Sequence, residues 1–170
     1  MWRGLKEQER TEVRRSLDRW GAFPVAENYK ILAKIEPGVV EIFLISPGAF
    51  RFVLLNQPYA AGLHIGTLRR RGLRLCLQGA FLVAGESQER VIRVNEKAEA
   101  LFIYGRDVSG ESVIEVKPEL EQNSVCVVGN EKGEAIGLGK LLVSGDRLKE
   151  HRMVIENITD MGHYLRSENK

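Results

Sequence analysis

The sequence predicts an α+β protein in two modules, the second a compact, mostly antiparallel barrel, and three observations carry that expectation. Apolar and polar residues alternate in many short runs, the period of strands with one face buried. A helical apolar period appears only in brief segments, the clearest at residues 4–21. The polar stretch "GESQER" at residues 85–90 has no apolar period and places a boundary near residue 88, giving modules 1–88 and 89–170. A chain of 170 residues hides about 70% of its unfolded surface on folding, enough for real cores.

In the first module, "GLKEQERTEVRRSLDRWG" puts Leu5, Val13, Leu17 and Trp20 on one helical face. Gly21 is a natural left-handed terminator, and Pro24 discourages continuation. The basic residues of this helix alternate with acids and read as a solvated face. "YKILAKIEPGVVEIFLI" is two strands around Pro37-Gly38, where proline fixes one turn position and glycine supplies positive φ at the next. Ser46 and Pro47 have the chemistry of a helix cap and first turn, so a short helix through "AFRFVLL" is expected. "LHIGTL" and "LRLCLQG" read as strands joined by Arg69, Arg70 and Arg71, with Leu73, Leu75 and Leu77 inward and Arg74 outward. "AFLVAG" fits either helix or strand.

In the second module "RVIRV" is a strand and "NEKAEALFIYG" a helix capped by Asn95 and ended at Gly105. "SVIEV" is a strand, "SVCVVGNEKGEAIGLGKLLV" a hairpin, and "RMVIENI" a strand before a final helical turn capped by Thr159. "AIGLGK" fails as a phosphate loop, because Glu134 holds the first glycine position and Leu141 replaces the magnesium-binding hydroxyl. Gly137 and Gly139 are instead strand glycines at a bulge or close backbone approach.

Several function classes find no support in these residues. No apolar run approaches the length of a membrane span, and the charged N-terminus is unlike a signal peptide. Cys76 and Cys126 lie far apart in apolar alternating stretches, as two buried thiols of a reducing compartment would. His64, His151 and His163 lack metal-ligand spacing, and no clustered Cys/His pair marks a nucleophile. The charge is uneven: residues 1–90 hold 14 Lys and Arg against 9 Asp and Glu, and residues 91–170 hold 11 against 14. A polyanion would therefore favour the first module.

With "RGLKEQERTEV", "LHIGT", "LFIYGRDV", "AIGLG" and "DMGHYLR" in this order, the chain resembles the Nip-seven (nuclear import protein seven) family of ribosome-biogenesis factors. The likeness is to an archaeal member rather than a nucleolar one. It implies an N-terminal α/β domain of mostly antiparallel strands with flanking helices, followed by a PUA-type β pseudo-barrel. It implies RNA binding, a part in large ribosomal subunit biogenesis and pre-rRNA processing, and an adaptor's role without catalysis, cofactor or metal. The implied partners are rRNA or pre-rRNA, uridine-rich RNA among them, and ribosome-assembly proteins. The implied setting is a monomer in the cytoplasm, away from membranes, or in the nucleus or nucleolus of a eukaryote.

Within the PUA half, residues 96–121 carry 3 Lys and Arg against 7 Asp and Glu, while residues 122–170 are balanced at 7 and 7. Phosphates are therefore expected at the late segment, where Lys140, Arg147, Lys149 and Arg152 stand closest together. Arg69, Arg70, Arg71 and Arg74 either extend that RNA surface onto the first domain or form a hydrated turn that deters edge-to-edge strand pairing. Tyr104 is a candidate for stacking on a base or for packing at a helix end. Two other functions are open: a protein-interaction adaptor with incidental RNA contact, and an RNA-modification enzyme guided by its PUA domain.

Overall fold

A five-stranded antiparallel meander organises residues 1–86: β1 (Trp2–Gly4), β2 (Lys30–Glu36), β3 (Val39–Ile45), β4 (Leu63–Arg69) and β5 (Gly72–Leu75), paired in that order. The computed structural model describes residues 1–117, 119–163 and 166. By internal contacts the chain forms two units, Met1–Glu86 and Ser87–Lys170.

Helix α1 (Glu7–Arg19) follows its predicted period, with Val13 and Leu17 completely buried and Trp20 nearly so. Its first turn is closed by Glu9, whose carboxylate accepts the Lys6 backbone N–H at 2.8 Å and both Arg3 guanidinium nitrogens at 2.7 Å. Gly21 has the expected positive φ of 68°. Pro24 opens no gap, because it occupies the second position of the short helix α2 (Phe23–Ala26), where an N–H has no intrahelical partner to lose. The Pro37-Gly38 turn is as expected: Glu36 pairs with Val39, and Gly38 has a φ of 73°.

Two local expectations are corrected, and one strand is added. Helix α3 (Phe50–Asn56) starts after Ala49, not at Ser46. Ser46 instead receives the Ala49 N–H on its carbonyl at 3.0 Å, because Pro47-Gly48 is itself a turn pair and closes before the helix begins. Strand β5 stops at Leu75, and Leu77 begins helix α4 (Leu77–Glu86), which also absorbs "AFLVAG". There the buried set Leu77, Ala80, Val83 and Ala84 follows a helical spacing. Strand β1 was not foreseen, since three residues have no period to read. It is held from outside the sheet by Gln57, whose side chain accepts the Trp2 N–H at 2.6 Å and donates to the Trp2 carbonyl at 3.0 Å. Trp2 meets Phe43 edge-on at 4.8 Å.

The second unit is a nearly closed six-stranded sheet. It comprises β6 (Val91–Val94), β7 (Val108–Ser109), β8 (Val113–Glu115), β9 (Val125–Gly129), β10 (Ala135–Leu141) and β11 (Met153–Asp160), in the order β7-β11-β10-β9-β6-β8. The described pairings are antiparallel except β6 with β9. Helix α5 (Glu96–Ile103) is capped by Asn95, whose Oδ1 accepts the Ala98 N–H at 2.9 Å. Phe102 is driven into a core with Ile92, Leu141, Leu148 and Ile155, all with no exposure. A Cβ at Gly137 would lie 2.3 Å from the Thr159 carbonyl oxygen and 2.7 Å from the Phe102 ring. Ladder irregularities fall beside Gly137 and Gly139, so these are strand glycines, as the sequence suggests.

Thr159 is corrected: it lies within β11 opposite Leu138, as a strand residue. Asp160 supplies the local order instead, its buried carboxylate accepting from Gly162 N at 2.8 Å, Asn157 Nδ2 at 3.1 Å, and Arg166 at 2.7 and 3.0 Å. The rest of the expected helical turn includes Tyr164, Leu165 and Ser167, which lie outside the described residues.

Candidate nucleic-acid interface

In the second unit a glycine lets two irregular segments meet. Residues 110–112 and 145–150 each form a 3-10 turn. A Cβ at Gly110 would lie 2.1 Å from the Leu148 carbonyl oxygen and 2.4 Å from that of His151. Only a residue without a side chain fits there. The Gly110 N–H donates to the Arg152 carbonyl at 3.3 Å, fixing the entry into β11.

Beside this junction is a cavity of about 560 Å³, walled by Ala98 and Leu101 of α5, by Asp107, Ser109, Glu111 and Ser112, and by Lys149 to Met153. Leu101 and Met153 offer exposed apolar surface, and Lys149 and Arg152 offer cations. Two of the three acids in its wall are engaged, and the third, Glu111, is exposed with no side-chain partner among the described residues. Asp107 accepts the Asn157 backbone N–H at 2.8 Å, and Glu150 pairs with Arg147 at 3.3 Å. The Nε2 of His151 is buried without a hydrogen-bond partner among the described residues, so a polar group of a ligand would be welcome there. Apolar surface with a few cations suits a base and its phosphate.

Of the four late cations expected at the interface, the structure brings Lys149 and Arg152 to this cavity. Arg147 stands beside it through Glu150. Lys140 lies on β10 opposite Glu156, their charged groups 3.9 Å apart, and does not line the cavity. Tyr104, at the end of α5, is 75% exposed, so the helix-end packing reading fails and its ring is open to stacking. The contribution of α5 and residues 107–112 was missed, because their acidic composition hides which carboxylates are already engaged.

In the first unit, Arg70 and Arg71 form a two-residue turn between paired Arg69 and Gly72. Arg69, Arg70, Arg71 and Arg74 are exposed, and no ion pair involves them among the described residues. Leu73 and Leu75 are buried on the opposite face, as alternation requires. The buried Ser16 hydroxyl of α1 accepts the Leu73 N–H at 3.0 Å and so anchors the turn from beneath.

The Cys/His reading is also corrected. Register between β4 and β5 brings His64 and Cys76 together although they are 12 positions apart. The Cys76 Sγ donates to the His64 carbonyl at 3.1 Å, while the imidazole stacks on Phe43 and its Nε2 lies 3.1 Å from the Gly66 carbonyl. Burial pushes the Cys76 thiol up, but His64 and the Gly79 and Gln78 amides outweigh it and hold the thiol below its ordinary value. Hydrogen bonding to Cys76 raises the imidazole. Cys126 differs: complete burial pushes it up to about 12. Only Cys126 matches the expectation of a fully buried thiol.

Residues 90–169 match a family described as the UPF0113 PUA domain. A UPF0113 protein of Archaeoglobus fulgidus is 34% identical over 159 residues, spanning 92% of this chain and 89% of that protein. Two solved structures share the fold along nearly the whole chain. A hypothetical protein of Pyrococcus horikoshii has a TM-score of 0.66 at 15% identity, covering 97% of this chain and 99% of that one. A conserved PUA domain protein of Thermoplasma acidophilum has a TM-score of 0.64 at 12% identity, covering 98% and 99%. With a sequence relationship along most of its length and a PUA-type barrel in its second unit, the chain belongs to the UPF0113 family.

Proposed function

We propose that the chain is a non-catalytic RNA-binding adaptor of the archaeal cytoplasm, acting as a monomer in large ribosomal subunit biogenesis and pre-rRNA processing. The observation that carries this reading is the cavity between α5 and the start of β11, where Lys149 and Arg152 flank exposed Leu101 and Met153. The PUA assignment and the Nip-seven motifs support the same direction. The cations hold phosphates, the apolar wall receives an unpaired base, and specificity comes from the base edge in the cavity.

Fluorescence anisotropy with a labelled uridine-rich single strand tests it. Lys149→Glu with Arg152→Glu weakens binding at least tenfold and lowers the slope of log affinity against log salt by about 1.4, about 0.7 for each phosphate contact. Unchanged affinity would remove the cavity from the RNA surface. Co-sedimentation with large-subunit precursors, abolished by ribonuclease, tests the ribosomal part.

A second reading has its own support. Phe52, Leu55 and Tyr59, on α3 and just after it, are 59%, 82% and 92% exposed. Such apolar surface suits an assembly-factor partner, and on this reading the co-sedimenting complex survives ribonuclease.

A further inference from the structure

The first unit holds a cavity of its own, about 390 Å³ in volume, between α1, α2, β2 and the start of α3. Its composition is unlike an ordinary surface dimple. Arg10 and Arg14, one turn apart on α1, and Lys30 at the start of β2 supply three cations, and Phe23, Tyr29 and Phe50 supply three rings. Arg10 and Lys30 have no ion pair among the described residues. Arg14 is held only loosely by Asp18 at 4.0 Å, and its guanidinium lies over the Phe23 ring at 4.5 Å. Tyr29 is 39% exposed. The one carboxylate in the lining, Glu27, is exposed and makes no side-chain hydrogen bond or ion pair among the described residues.

A cavity of this volume holds one nucleotide. The exposed Tyr29 ring accepts the face of a base, with Phe23 and Phe50 as partly buried wall behind it, unpaired cations accept its phosphate, and a lone carboxylate accepts from an exocyclic amino group. An acidic peptide would satisfy the cations but leave the exposed Tyr29 ring without a flat partner. We propose that this cavity is a second RNA site, receiving one unpaired nucleotide of a single strand, its base beside Tyr29 and its phosphate at Arg10 and Lys30. The proposal rests on the reading of the chain as an RNA-binding protein, and it reverses the expectation that the cations of α1 are merely solvated.

The test uses the full chain and a labelled cytidine decamer, whose bases carry the amino group that Glu27 would accept. Tyr29→Ala weakens binding about tenfold, the loss of one base stack. Arg10→Ala with Lys30→Ala lowers the salt slope by about 1.4, two phosphate contacts at about 0.7 each. All three side chains are exposed, so thermal melts of these variants should match the parent. If they bind the decamer like the parent while the Lys149 and Arg152 variant loses it, this site is refuted and the RNA reading stands. If the parent binds no single strand, both fall. Cytidine monophosphate binding as tightly as the decamer, or an acidic peptide displacing the decamer from this cavity, would also overturn the proposal.

Discussion

The Asp160 carboxylate and the Arg166 guanidinium meet through two hydrogen bonds of 2.7 and 3.0 Å, with the carboxylate 1% exposed. Arg166 also donates to the Ile103 carbonyl at the end of α5. The D-x-G-x-aromatic-x-R close of the sequence is therefore a structural clasp between β11 and α5. Asp160→Asn keeps the shape but removes the charge and turns a donor toward other donors. Its expected effect is a fall of roughly 5 °C or more in the melting midpoint of the second unit, followed by calorimetry. An unchanged midpoint would mean that the clasp is dispensable.

Acid should loosen the start of α1. Hydrogen bonding from Arg3 holds the Glu9 carboxyl below its ordinary value. A depressed folded value contributes stability above the unfolded value, near 4.3, and that contribution disappears as pH falls through the folded one. Glu9→Gln should remove about 1 kcal/mol at pH 7, after discounting for solvent screening. Parent and variant should converge in denaturant titrations as pH falls through the lowered folded-state value of Glu9.

The two cysteines should differ sharply toward iodoacetamide. Cys76 reacts in the native protein, with its half-maximal rate at a pH below the ordinary value for a thiol. His64→Gln shifts that midpoint upward, because the imidazole no longer favours the thiolate. Cys126 reacts only when the second unit unfolds. Mass spectrometry of timed samples reads both sites.

The arginine turn has a simple discriminator. Changing Arg69, Arg70 and Arg71 to glutamate lowers the slope of log affinity against log salt by about 0.7 for each phosphate the turn had neutralised. An unchanged slope would make the turn a device against edge pairing only. Melting should change little either way, since the side chains are exposed.

Gly110→Ala should disturb the α5 cavity without touching its cations. The added methyl group overlaps two backbone carbonyls, so stability falls by about 1–3 kcal/mol and RNA affinity falls with it. Gly48→Ala, which meets open space, is the control and should bind RNA normally.

Helix α1 was legible because its buried residues repeat over 13 positions, long enough for a period to emerge. The start of α3 was not, because Ser46 and Pro47 serve a turn as well as they serve a helix cap. The pairing of Lys140 with Glu156 depends on the β10–β11 register, which one sequence does not print. His64 and Cys76 likewise meet only through hairpin alignment. The α5 cavity draws on segments around residues 98, 110 and 151, and its charge depends on which acids already have partners. Tertiary pairing decides each of these, and local pattern does not encode it.

Strand β11, made last in the second unit, lies between β7 and β10 rather than at an edge. A nascent chain that has emerged only as far as residue 150 must therefore leave β7 and a flank of β10 without their neighbour. The barrel can close only after the ribosome has released residues 153–160, so its folding is governed by long-range contacts and should be slow for its size. Until then, those open flanks are where a chaperone would bind or aggregation would begin.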